Sequence, residues 1–329
     1  MSAPLPAPVW DNHACPPMAI DDLPAHLPTL QRYRDAGVDV VSLNIGYGEM
    51  AWEDHLAMAK AITAWLAAHP DRFVLARSLA EIDAARGAGR LAVVFDVEGA
   101  APLEGDLGRV AQLRQVGVRW MLLAYNRRNW AAGGVHEAAG LTPEGVRLIR
   151  QMEDAGIVVC LSHTAHAAAM QALAIARKPM ILSHSNPRAL CDHPRNITDD
   201  LARACAARGG AIGVNGLRLF LGTGAPVERL VLEHVLYLVK LVGPRHVGLG
   251  LDFVFDLAGL EAEKAAMAST FPGGCGYEQP TECTPPEAIP ALRAGLAAAG
   301  LAGEEIAAIL GGNWQRIAEE CWGDMPATA

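Results

Sequence analysis

No stretch of this 329-residue chain reaches the roughly 18 consecutive apolar residues that a membrane-spanning helix requires. The opening MSAPLPAPVW has neither a basic n-region nor an apolar h-region, so no secretory signal and a cytoplasmic location are expected. Basic excess is also missing. Lys and Arg number 27 against 36 Asp and Glu, a net charge of −9, which gives no electrostatic footprint for nucleic acid or an anionic membrane surface. The seven cysteines (Cys15, Cys160, Cys191, Cys205, Cys275, Cys283 and Cys321) are odd in number, scattered and without a CxxC pair. That pattern excludes a disulfide framework and reads as reduced thiols, with Cys160 a core residue. There is no internal repeat, low-complexity tract or linker, so residues 1–329 read as one domain.

What is present is a large apolar complement. Hydrophobic residues make up 51% of the chain and charged residues only 19%. Strand-like apolar runs lie near 8–13, 38–45, 91–98, 118–125, 157–162, 179–184, 211–215 and 246–251, separated by segments with helical spacing. Thr142 and Thr198 occupy N-cap positions, each with a carboxylate in the following turn. Eight buried strands alternating with helices predict an α/β fold, a (β/α)8 TIM-type barrel with a C-terminal helical extension. A doubly wound open sheet would need a glycine-rich phosphate turn after its first strand. DNHACPP offers none, and its prolines forbid a helix there. A ninth short run, Phe73–Arg77, is read as an insertion before the third strand. Residues 261–286 form a Gly-, Pro- and Cys-rich rim loop, a candidate lid, and 287–322 form closing helices.

The candidate chemistry lies just past the apolar runs, at the strand ends where such barrels build their active sites. His163 ends VVCLSH and His184 ends PMILSH, two imidazoles in parallel contexts on successive strands, the commonest zinc ligand type. Glu98 closes LAVVFDVE, where an unpaired carboxylate would cost several kcal/mol, so it is a candidate metal ligand able to bridge two ions. Asp96, two residues earlier on the same face, is a candidate partner behind it. His13 and Cys15 form an H-x-C whose side chains point the same way. Cys15 as a thiolate ligand, as a spectator, or as the mark of a one-metal enzyme are all open. Asp252, at the end of the eighth strand, is a candidate general base and acid. Arg195 suits bidentate capture of a substrate carboxylate.

Together these motifs resemble the renal, or membrane, dipeptidase family of zinc peptidases, amidohydrolase-like barrels. The resemblance runs from about His13 to Arg316 and rests on VEG around Glu98, LSHT…ILSHSNPRALCDHPRNITDD over 161–200, GLGLDF over 248–253 and GGNWQRI over 311–317. It implies a zinc site bridged by Glu98, with His13 on one ion and His163 and His184 on the other. It also implies Arg195 holding the substrate's C-terminal carboxylate and Asp252 moving the proton. Such enzymes hydrolyse dipeptides, often tolerating a C-terminal D-residue, and are commonly homodimeric.

Two departures touch the site. The family's His-x-Asp is here His13-Ala14-Cys15, and the fourth-strand histidine that meets the reacting carbonyl is replaced by Tyr125, whose hydroxyl can still donate to a developing oxyanion. Asn126 beside it is a further candidate for substrate binding. With two neighbouring changes, a remodelled site holding one or two Zn2+ ions is expected, the position beside Cys15 being the weaker. The rival readings are a related barrel hydrolase of another small amide or lactone, and a metal- or ligand-binding homologue without catalysis. Asp252 argues against the second, since a binder has no use for a proton shuttle.

Overall fold

Eight short apolar runs pair side by side, all parallel, and close on themselves. In the computed structural model, which describes residues 5–48 and 50–323, they are β1 (Trp10–Cys15), β2 (Val40–Tyr47), β3 (Leu91–Glu98), β4 (Val118–Leu122), β5 (Val158–Cys160), β6 (Ile181–Leu182), β7 (Ala211–Val214) and β8 (Val247–Leu249). The closing pair is β1 with β8, Asp11 opposite Leu249. Helices cover the outside, among them Trp52–Ala67, Pro143–Ala155 and Val227–Val242. This is the predicted TIM-type barrel.

Strand alternation divides the buried apolar side chains between two cores. From β3, Leu91, Val93, Phe95 and Val97 join the large shell beneath the helices. Ala92 and Val94 instead pack in the barrel interior with Val40, Trp120 and Val158. The C-terminal helix Asn313–Cys321 plugs the strands' amino ends, where Trp314 donates to the Leu249 carbonyl at 3.0 Å and Trp322 stacks edgewise on Trp10. Following the inner row of β3 upward, apolar Ala92 and Val94 give way to Asp96 and Glu98. One strand face therefore runs from core to chemistry.

Several boundaries differ from those expected. β4, predicted to reach residue 125, ends at Leu122, and β5 and β6 are likewise shorter than their apolar runs. The backbone there turns out of the ladder to present side chains. The run at 73 forms a short strand, Phe73–Leu75, paired with the foot of β3 and outside the barrel. Thr142 caps its helix, accepting from the Gly145 amide at 2.9 Å. Thr198 stands at the N-cap of Asp199–Ala207 but makes no capping bond, its hydroxyl lying 3.3 Å from His166 Nδ1. The rim segment begins as a helix, Leu257–Ala266, before becoming irregular. All seven cysteines are free. Among the described residues, no helix is long and apolar enough to cross a membrane.

Candidate active site

Five strand ends deliver their ligand-type residues to one point on the carboxyl rim. Glu98 Oε1 lies 3.5 Å from His13 Nε2, 3.5 Å from His163 Nε2 and 3.1 Å from His184 Nε2. His13 Nε2 is also 3.4 Å from Asp252 Oδ1, and the two nitrogens of His163 and His184 approach to 3.0 Å. His13, Glu98, His163, His184 and Asp252 are each at most 8% exposed. The expected cluster is thus assembled from residues up to 239 positions apart (Asp252 − His13).

Each imidazole is aimed by a partner on its far nitrogen. Asp96 Oδ2 lies 3.3 Å from His13 Nδ1, and Asn44 donates to the other Asp96 oxygen at 3.0 Å. Asn126 Oδ1 accepts from His163 Nδ1 at 2.7 Å, its orientation set because its amide nitrogen donates to the Thr270 carbonyl at 3.1 Å. The Ser183 hydroxyl meets His184 Nδ1 at 2.7 Å. Asn215 donates to Asp252 Oδ2 at 2.8 Å, leaving Oδ1 toward the cluster. Three of these residues, Asn126 (φ 55°), His163 (φ 60°) and Asp252 (φ 58°), hold left-handed backbone. That costs of order 1–3 kcal/mol each in a non-glycine residue and persists only where the surroundings enforce it.

These residues fit a divalent cation. With Nδ1 of His163 committed as a donor, its Nε2 carries a lone pair, and it faces a second imidazole nitrogen and a carboxylate oxygen. Burial, reinforced by the positive Arg195 and His13, pushes both His163 and His184 well below the usual histidine range, so a proton does not relieve the crowding. Among the described residues Glu98 Oε1 has no hydrogen-bond donor, and burial lifts its carboxyl to about 8. His13 responds oppositely. Burial disfavours its cation, but Glu98, Asp96 and Asp252 outweigh burial and raise it to about 10. Among the described residues two donor groups stand within metal-sharing distance: His13, His184 and Asp252, and Glu98, His163 and His184.

Above the cluster opens a cavity of about 630 Å3 whose floor includes Glu98, His163 and Asp252. Its walls are mainly apolar, with Leu217, Phe220, Phe271 and Tyr277 prominent. The cationic side chains on its rim are engaged: Lys264 pairs with Glu261 at 2.8 Å and Arg218 with Glu282. A second cavity of about 270 Å3 meets the first at Cys15, Glu98, Tyr125 and Phe271, and is bordered by Asp22, Asp256 and Glu263. The predicted rim loop supplies Phe271 and Tyr277, and Tyr277 accepts or donates at 2.9 Å with His136 Nε2. Tyr47 fastens the rim helix to β2 through Glu263 at 2.8 Å.

Three expected site residues stand somewhat differently from expectation. Tyr125 borders both cavities and stacks on His163, ring centroids 4.3 Å apart, with its hydroxyl raised well above the usual range by burial. Asn126 touches the larger cavity, yet both ends of its amide are spent on His163 and Thr270, so it orients a ligand-type residue. Arg195 lies behind the Phe220 ring, 2% exposed, donating to Ser185 Oγ at 3.2 Å and the His184 carbonyl at 2.8 Å, while its Nε has no partner among the described residues. Sequence reasoning missed Asn44, Ser183 and Asn215. Asn215, in GVNG just past an apolar run, stands where the ligand-type residues stand and was findable by that rule; the other two carry no distinguishing signal.

The family model described as membrane dipeptidase, peptidase family M19, matches residues 26–322. "Dipeptidase verJ" of Clonostachys rogersoniana is 32% identical over 208 residues, 62% of this chain and 53% of that protein. The chain spans about half the length of the first curated relatives it matches. In fold it is similar to an amidohydrolase from Pseudomonas aeruginosa (TM-score 0.86, 22% identity, 97% of each chain). It is also similar to a metallo peptidase from Rhodobacter sphaeroides, solved with a phosphinate mimic of the dipeptide L-Ala-D-Ala (TM-score 0.77, 21% identity, 97% of this chain and 100% of that one).

Proposed function

The chain belongs to the membrane dipeptidase family, peptidase family M19, and on that premise we propose that it hydrolyses dipeptides with a metal-activated water, including dipeptides that end in a D-residue. One observation carries the reading. Glu98 Oε1, without a donor, faces three imidazole nitrogens at 3.1–3.5 Å on the floor of a cavity of about 630 Å3, with the Asp252 carboxylate beside it.

In this reading His13, Glu98, His163 and His184 hold Zn2+, the nitrogen–carboxylate donor set that ion takes in hydrolases. Zn2+ held there supplies Lewis acidity for the scissile carbonyl and the attacking water. Asp252 Oδ1 takes the water's proton as the oxygen–carbon bond forms and returns it to the amine as the carbon–nitrogen bond breaks. Asn215 keeps the carboxylate turned for both transfers. Tyr125, at the junction of the two cavities, donates to the developing oxyanion. The acid-bordered smaller cavity suits the substrate's ammonium group, and the larger apolar one takes the C-terminal residue, with Arg195, packed behind the Phe220 ring of its wall, for the carboxylate. The D-residue tolerance draws on the ligand of the Rhodobacter sphaeroides protein.

The test is a panel of L,L- and L,D-dipeptides offered to Zn2+-loaded protein beside lactones and simple amides, following amine release. Dipeptide turnover well above that on the other classes is expected. Turnover of lactones alone, or full metal loading with no turnover of any substrate, overturns the reading.

A further inference from the structure

The geometry points to Cys15 as a thiolate ligand of the cation held at the carboxyl end of β1, an inference that rests on the metallohydrolase reading above. His13 and Cys15 are separated by one residue on a strand, so both side chains leave the same face. The result is a distance of 3.5 Å between His13 Nε2 and Cys15 Sγ.

That distance is informative. With ligand bonds of about 2.0–2.1 Å to nitrogen or oxygen and about 2.3 Å to sulfur, two corners of a zinc tetrahedron lie about 3.3–3.6 Å apart. His13 Nε2 is 3.5 Å from Cys15 Sγ and 3.5 Å from Glu98 Oε1, both edge lengths of such a polyhedron. Asp252 Oδ1 borders the same position, 3.4 Å from His13 Nε2 and 3.2 Å from Cys15 Sγ.

A second observation points to a ligand independently of the cysteine. Glu98 is 4% exposed, its Oε1 has no hydrogen-bond partner among the described residues, and it faces the same His13 nitrogen. His13 is meanwhile held through Nδ1 by Asp96, with Asn44 behind it, so its free nitrogen is fixed on the place the sulfur borders.

Coordination by sulfur has a chemical signature. The thiol gives up its proton when the ion binds, and a thiolate favours Zn2+, Co2+ or Cd2+ over Mg2+ and Mn2+. Asp252 keeps its role at the proton, because Asn215 holds its other oxygen and the sulfur completes the ion's ligands.

Titration of the metal-free protein with Co2+, followed by absorption and bound-metal analysis, tests this without reference to turnover. Wild type is expected to take two Co2+ per chain and to develop a sulfur-to-cobalt charge-transfer band in the near ultraviolet. Cys15→Ser should lose the band and hold one of the two ions at least about tenfold more weakly, since the soft ligand is gone. Cys15→Asp should hold both ions without the band, which separates loss of a ligand from loss of fold. A cobalt-loaded wild type with no such band, or Cys15→Ser that keeps both ions with unchanged affinity, overturns the assignment. Failure of the hydrolase reading looks different. It appears as a full cobalt load and band with no dipeptide turnover, in which case the ligand assignment stands alone. A wild type that takes up no cobalt removes both.

Discussion

Asp252→Asn exchanges a single carboxylate oxygen for an amide nitrogen at nearly constant volume, and the surroundings dictate which one. Asn215 donates to Oδ2 at 2.8 Å, so the new carbonyl oxygen stays there and the NH2 group turns toward Cys15 Sγ and His13 Nε2, 3.2 and 3.4 Å from the former Oδ1. The left-handed backbone (φ 58°) suits asparagine, one of the residues that visits this region most readily. The backbone amide still donates to the His13 carbonyl at 3.0 Å. Fold stability should therefore move by no more than about 1 kcal/mol. The NH2 group, however, cannot accept the water's proton. Loss of a positioned general base costs roughly 10²–10⁴ in rate, about 2.7–5.4 kcal/mol at 1.36 kcal/mol per decade. The assay is kcat on the best dipeptide at saturating metal, with bound metal counted on the same sample. Turnover within threefold of wild type in a metal-replete sample would refute the assignment. Asn215→Ala, which leaves the carboxylate but frees it to turn, should fall between the two.

Other substitutions probe the remaining parts. His163→Ala or His184→Ala should abolish tight metal binding and hydrolysis while circular dichroism stays native, because both sit on the rim above the apolar layers; retention of metal and rate within a few-fold counts against them as ligands. Arg195→Ala should raise KM for free dipeptides and leave C-terminally amidated analogues nearly unaffected, so equal losses on both would show that the guanidinium does not read the carboxylate. Gly250→Ala would place its Cβ 1.9 Å from the Ser183 carbonyl oxygen, next to His184. A backbone clash of that kind should cost about 3 kcal/mol or more, read as a lower denaturant midpoint, and an unchanged midpoint would show that the Ser183 backbone can move aside there. Asn126→Ala should weaken metal binding about 10–100-fold by freeing the His163 ring, and unchanged affinity would mean the ring is held by Tyr125 stacking alone.

The alternation of apolar runs with helical segments was enough to predict the barrel. Burial of a parallel strand on both faces demands a continuous apolar run, which is a local property of sequence. The same locality placed His13, Glu98, His163, His184 and Asp252, because a polar residue at the end of such a run stands out against its neighbours. It failed where the partner is remote. Nothing local marks Ser183 or Asn44 as residues that aim an imidazole, and Asn215, though placed just past an apolar run, shows its hold on Asp252 only once distant strands meet. Arg195 shows the same limit: an arginine in a polar loop reads as exposed, and only packing beneath Phe220 makes it buried. Whether Cys15 can join an ion was undecidable from H-x-C alone, because the same two residues serve equally on any strand. The separations of 3.4 and 3.2 Å from Asp252 to His13 and Cys15 depend on closing β1 against β8, and barrel closure is a tertiary event that couples residues 237 and more positions apart (Asp252 − Cys15). Strand identity and rim residues were thus written in local periodicity, whereas the distances that turn those residues into a site came from register and closure alone.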